Sequence, residues 1–154
     1  KARLMIETGR FPTAQAGTYW LWVVDKKFSR GKTYVIAENC MTGLQKPALA
    51  AMLRHELGGG TPAPYEPLFT SEWAFPIIAH GDESRTETVD IVGNLCCAAD
   101  VLAEDFTGPE LAVGDLIEVR NAGAYACTLT AQRFSSHQPP RQLLVYGDGR
   151  VETE

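Results

Sequence analysis

Three stretches of the chain carry the residue types best suited to chemistry. Val92-Gly-Asn-Leu-Cys-Cys-Ala-Ala-Asp100 holds two adjacent thiols, Asn121-Ala-Gly-Ala-Tyr125 ends on a phenol, and Ile6-Glu-Thr-Gly-Arg10 sets a carboxylate close to a guanidinium. The ordinary thiol pKa near ~8.5 moves towards neutrality beside suitable charge, so a cysteine such as Cys96 can transfer protons. Arg10 can fork onto phosphate or carboxylate oxygens, and Gly9 beside it permits close backbone approach. Each type also has a plainer use. Free cysteines pack in cores, tyrosines bury their rings, and a strand-end Glu7 or Arg10 sits in solvent.

Such groups need a scaffold, and 154 residues suit one domain with a hydrophobic core. Apolar residues at 45% and charged residues at 21% are ordinary for a soluble globular protein. The net charge of -5 argues against a nucleic-acid surface, which needs a basic stripe to displace counterions. No apolar run approaches the roughly 20 residues that cross a bilayer, and the start lacks the apolar core of a signal peptide. A cytoplasmic protein without membrane contact is expected. Cys40, Cys96, Cys97 and Cys127 then read as free thiols, because two are adjacent and no secretory signal accompanies them. His55, His80 and His137 stand apart with neither a Cys-x-x-Cys nor a His-x-x-x-His pair, so no metal site is expected.

Periodicity supplies the elements. Gly17 to Val24 and Lys32 to Ala37 are rich in aromatic and β-branched residues and predict a hairpin that turns near Gly31. Leu49, Met52, Leu53 and Leu57 predict a helix from Leu44 to Leu57, with Pro47 in its first turn and Gly58 as a cap. Gly58 to Pro67 is too rich in glycine and proline for either element and predicts an extended surface loop. Further strands are predicted over Trp73 to Ala79, Thr86 to Leu95, Asp115 to Arg120, Tyr125 to Thr130 and Gln142 to Tyr146. Val89, Ile91, Gly93 and Leu95 share one face of the second of these, and Thr88, Asp90 and Asn94 the other. A mostly β domain follows, a closed or nearly closed barrel with one or two helices.

Taken in order, these motifs resemble the C-terminal half of the fold-type III, alanine-racemase-like pyridoxal-phosphate decarboxylases, the family of diaminopimelate, ornithine and arginine decarboxylases. The resemblance rests on Glu7-Thr-Gly-Arg10, Ser29-Arg-Gly-Lys32, Leu44-Gln-Lys-Pro-Ala-Leu49, Gly93 to Asp100, Gly114-Asp115 and Ala122-Gly-Ala-Tyr125. Each motif is weak alone; their shared order is specific. The resemblance implies a parent amino-acid decarboxylase that uses pyridoxal phosphate and works as a homodimer with composite active sites. Residues 1–16 would then lead out of an N-terminal β/α barrel, and residues 17–154 would form the C-terminal β-barrel domain. The lysine that carries the cofactor covalently in the family, and its glycine-rich phosphate loop, match nothing here, so the piece alone is expected to be inactive.

The same resemblance assigns roles. Glu7 would sit at the cofactor's ring nitrogen, with Gly9, Arg10 and Tyr125 also at the cofactor. Cys96 would cross the dimer interface to the carbon that is reprotonated. Lys46 and Cys97 fall on the substrate side. Cys97 stands where diaminopimelate and ornithine decarboxylases carry the acid that grips a distal ammonium. Lys46 replaces an arginine, and Ala50 a tyrosine of diaminopimelate decarboxylases. A substrate other than a free basic diamino acid is therefore expected, such as a carrier-bound or otherwise modified amino acid, as Phe134-Ser-Ser-His-Gln-Pro139 also suggests. His137 in that proline-rich stretch reads as structural or exposed. The alternatives are a domain of a pyridoxal-phosphate racemase, whose tyrosine base would occupy the position of Cys96, and a non-enzymatic β-barrel that binds a small ligand or a protein.

Overall fold

The computed structural model describes residues 2–56 and 74–153. The proline-rich loop expected from Gly58 to Pro67 lies outside the described residues. Among those residues the elements run β1 (Tyr19–Ser29), β2 (Lys32–Ala37), α1 (Cys40–Gly43), α2 (Gln45–Glu56), β3 (Ile77–His80), β4 (Asp82–Gly93), β5 (Val101–Glu110), β6 (Leu116–Val119), β7 (Leu143–Val145) and β8 (Val151–Thr153). Short 3-10 turns form at Ala14–Ala16 and Phe134–Ser136.

The expected hairpin joins β1 to β2. Arg30 and Gly31 form its tip with φ of 51° and 83°, the positive values that a two-residue turn matched to strand twist requires. Along β1 the pleat turns Leu21 and Val23 inward and leaves Trp20 and Trp22 exposed. Helix α2 forms within the predicted span with Pro47 in its first turn, but it buries Pro47, Ala48 and Ala50 and leaves Leu49 half-buried and Met52 exposed, while Leu57 lies outside the described residues. A separate turn, α1, precedes it. Asn39 at its start has φ of 56°, and the Tyr19 hydroxyl donates to the Asn39 carbonyl at 2.7 Å.

Six strands form one sheet in the order β3-β6-β1-β2-β4-β5, and β7 and β8 make a separate two-stranded hairpin. All pairs in the larger sheet are antiparallel except β2 with β4, which align Tyr34 with Asp90 and Ala37 with Gly93. The sheet nearly closes into a barrel. Gly81 carries β3 into β4 past the end of β5, where Asp82 pairs with Glu110. A Cβ at Gly81 would stand 2.2 Å from the Glu110 carbonyl oxygen, so glycine permits this approach. Inside lie Leu21, Val35, Ile91, Leu111, Ile117 and Val119, each nearly sealed from solvent. Burying a side chain of this size contributes roughly 1.5–3 kcal/mol.

Two expectations are corrected here. Tyr125 to Thr130 forms turns rather than a strand, because Asn121 and Tyr125 both take positive φ, near 60°, and break the extended path. Strand β5 was not expected from the sequence. Its acidic Glu104-Asp105 and its Gly108-Pro109 read as turn, yet an edge strand tolerates both because one side of its backbone is unpaired. Asp105 has φ of 49°, at a bulge where the register against β4 shifts. Smaller differences are shifts of ends: β3 starts at Ile77, and β4 starts four residues before Thr86.

Candidate functional site

At one end of the barrel the segment before β1, the first turn of α2 and the loop after β6 converge. The loop is held first. Ala122 N–H donates to the Gly17 carbonyl and Gly123 N–H to the Ala14 carbonyl, each at 2.9 Å. Gly123 and Gly17 pass so closely that a Cβ on Gly17 would stand 2.4 Å from Gly123 Cα. Arg10 Nη1 donates to the Asn121 carbonyl at 3.1 Å, and Asn121 Nδ2 donates to the Ala74 carbonyl at 3.1 Å. The guanidinium carbon lies 4.6 Å from the centre of the Phe75 ring.

This framework places three functional groups together. The Tyr125 hydroxyl lies 2.7 Å from where a Cβ of Gly9 would stand, so glycine leaves the space that the phenol occupies. Lys46 Nζ lies 4.8 Å from the centre of the Tyr125 ring. Burial lowers the Lys46 pKa from its ordinary value, and the like charge of Arg10 lowers it further. Burial also lowers that of Arg10, while Tyr125 acts in the opposite direction. Among the described residues Arg10 Nη2 is buried with no hydrogen-bond partner. A buried donor without an acceptor costs about 1–3 kcal/mol, more when charged, so this edge gains from an anion that accepts from it.

The expected residues divide into two groups. Gly9, Arg10, Lys46 and Tyr125 come together, whereas Glu7 is exposed on the extended segment before them and makes no hydrogen bond among the described residues. Cys96 and Cys97 occupy the loop between β4 and β5. Cys96 is exposed and Cys97 half-buried. That loop is fixed by Asp100, whose carboxylate accepts N–H groups of Met41 at 2.8 Å and Leu95 at 3.0 Å. Gly93 is required beside it, since a Cβ there would stand 1.9 Å from the Asp100 carboxylate. No hydrogen bond or ring contact among the described residues joins either cysteine to the Arg10 group. His137 is half-buried at the end of the Phe134–Ser136 turn. A cavity of about 860 Å³ lies elsewhere, between the outer face of β1 at Trp20 and Trp22 and the segment around Pro140 and Leu144.

Sequence patterns gave no role to Phe75 and Asn121, which position Arg10. Asn121 heads the motif that ends in Tyr125, but its contribution is a backbone carbonyl, which residue type does not reveal.

The chain is thus a nearly closed sheet barrel with the Arg10, Lys46 and Tyr125 side chains gathered at one end. The chain belongs to the pyridoxal-dependent decarboxylases, and residues 13–123 match the C-terminal sheet domain of that family. It is 30% identical over 140 residues to L-glutamyl-[BtrI acyl-carrier protein] decarboxylase of Niallia circulans, covering 91% of this chain and 30% of that protein. It is 29% identical over 151 residues to diaminopimelate decarboxylase of Pseudomonas fluorescens, covering 97% and 30%. The chain thus spans 30% of the length of each of these two curated relatives. Among solved structures, diaminopimelate decarboxylase of M. jannaschii in complex with L-lysine shares the fold at a TM-score of 0.71 and 24% identity, over 94% of this chain and 28% of that one. No helix among the described residues is long and apolar enough to cross a membrane.

Proposed function

We propose that the chain is the C-terminal domain of a pyridoxal-phosphate-dependent amino-acid decarboxylase, and that its Gly9, Arg10 and Tyr125 edge helps to hold the cofactor. One observation carries this reading: the buried Nη2 of Arg10, without a hydrogen-bond partner among the described residues, with the Tyr125 hydroxyl packed against the neighbouring Gly9. A phosphate suits that pair, because it accepts from guanidinium and phenol alike.

Pyridoxal phosphate, when bound, draws electrons from the carbon that loses carbon dioxide. The residues of this chain would do the rest. Glu7 would face the ring nitrogen of the bound cofactor, where a carboxylate would favour the protonated form. Arg10 and Tyr125 bind and orient the phosphate, with Gly9 admitting the phenol. Lys46 meets an anionic group of the substrate, and Cys97 lies on the substrate side, where it offers a distal ammonium no countercharge. Cys96 reaches the active site of a second subunit in a homodimer and delivers a proton to the substrate carbon. Residues 1–16 lead out of a β/α barrel that carries the cofactor-binding lysine, and residues 17–154 form the barrel domain.

The substrate is proposed to be an amino acid other than a free basic diamino acid. Carrier attachment is favoured, because the relative from Niallia circulans is named for a carrier-protein-bound glutamyl substrate. The test measures carbon dioxide release by the full-length protein with pyridoxal phosphate, from free amino acids and from aminoacyl carrier proteins. Release from an aminoacyl carrier, lowered roughly 10²-fold or more in Cys96→Ala, is expected. Release only from free diamino acids would overturn the substrate assignment, and unaltered release by Cys96→Ala the proton-donor role. No release from any substrate would favour a binding module.

A further inference from the structure

Tyr125 has φ of 60°, in the left-handed region that side-chain-bearing residues adopt only when their surroundings hold them there. Upstream, the bonds of Ala122 and Gly123 to the segment before β1 supply that hold. Downstream, the chain turns through Ala126 to Thr130, and the Thr130 side chain closes the turn. Its hydroxyl donates to the Ala126 carbonyl at 2.5 Å and accepts the Gln45 N–H at 3.2 Å. Gln45 opens α2, and its N–H is one of the donors that a helix start leaves without an intrahelical acceptor. A single hydroxyl therefore ties the first turn of the helix that carries Lys46 to the loop that carries Tyr125. The bond from Gln132 Nε2 to the Cys127 carbonyl stays within the loop and makes no such link.

We infer that Thr130 is a positioning residue for the phosphate grip: its hydroxyl locks the Tyr125 phenol in register with Lys46 and Arg10. The inference rests on the proposed cofactor role of that edge. Without the hydroxyl, Ala126 to Thr130 lose their tie to α2, and Tyr125 relaxes towards negative φ. The ring then leaves the face of Lys46 and the space beside Gly9. The upstream anchors at Gly123 are untouched, so the barrel persists while the grip loosens.

The test compares binding of pyridoxal phosphate and of pyridoxal, which lacks the phosphate, by spectroscopic titration of the full-length enzyme. Thr130→Val is expected to reduce the preference for the phosphorylated form about tenfold, the worth of one hydrogen bond to a charged group, with pyridoxal affinity unchanged. Thr130→Ser is expected to retain the wild-type preference, and Thr130→Ala replaces the valine variant if that does not fold. Combined with Tyr125→Phe, loss of the Thr130 hydroxyl adds no further effect, because both act through one contact. A preference unchanged in the hydroxyl-free variants, or equal weakening of both ligands, would overturn the assignment. If Tyr125→Phe also leaves the preference unchanged, the phenol's part in the phosphate grip itself fails; if it alone abolishes the preference, only Thr130 is dismissed.

Discussion

Lys46 Nζ stands 4.8 Å from the centre of the Tyr125 ring, so the first turn of α2 and the loop after β6 meet through a cation on an aromatic face. Such a contact contributes about 0.5–2 kcal/mol according to its desolvation. Tyr125→Phe keeps the ring and is expected to stay within ~0.5 kcal/mol of wild type in urea unfolding, whereas Tyr125→Leu loses ~1 kcal/mol or more. Equal losses would show that the ring face contributes nothing.

Gly123 in the loop after β6 and Gly31 at the hairpin tip differ in kind. At Gly123 a Cβ would stand 2.0 Å from the Thr13 carbonyl oxygen, a backbone atom that cannot swing aside. Gly123→Ala is therefore expected to cost ~2 kcal/mol or more and to weaken cofactor binding. Gly31 has φ of 83° but open space around it, so Gly31→Ala costs only ~1 kcal/mol, through backbone strain. Chemical denaturation of both variants checks this order.

Thiol reactivity should separate along the chain. Burial pushes the Cys40 thiol well above its usual range, and the charge of Asp100 adds to the effect. Cys96 is exposed. Iodoacetamide at mildly alkaline pH is expected to label Cys96 first and to spare Cys40 until the protein unfolds, as peptide mass spectrometry would show. Early labelling of Cys40 would contradict the packing of α1.

Glu118 links acid stability to the outer face of the sheet. A hydrogen bond from Arg120 Nε at 2.8 Å holds its carboxyl below the usual carboxylate range, aided by His80 Nε2 at 3.0 Å. His80 also stacks on Trp20 at 5.2 Å. A lowered folded-state pKa means that the stabilisation is complete above the ordinary glutamate value near ~4.3 and disappears as pH falls through the folded value. Glu118→Gln should therefore be less stable than wild type at pH 7, with the gap shrinking below pH ~4. A gap independent of pH would exclude this linkage.

Much of the scaffold was legible because local pattern and final packing agree. The aromatic and β-branched content of β1 and β2, the glycine of the turn between them and the existence of a helix that starts near Pro47 are each decided within a few residues. Strand β5 was hidden because an edge position excuses its acidic and turn-forming residues. Tyr125 to Thr130 was mistaken for a strand because its aromatic and β-branched content says nothing of the left-handed residue at its start. Motif order singled out Gly9, Arg10, Lys46 and Tyr125, and the structure brings these four together, while Glu7, Cys96 and Cys97 stand apart from them. Phe75 and Thr130 escaped notice, since an arginine stack and a hydroxyl bridging to residue 45 depend on contacts distant in sequence. The parallel pairing of β2 with β4 is likewise a long-range feature.

The anion-receptive edge is tested most directly by titrating pyridoxal phosphate into the full-length protein in wild-type and Arg10→Met forms. Loss of charge-assisted hydrogen bonds from Arg10 predicts at least ~10-fold weaker binding, with thermal stability largely kept in the absence of ligand. Equal affinity of the two forms would contradict the account, because the buried Nη2 would then have no part in holding the phosphate.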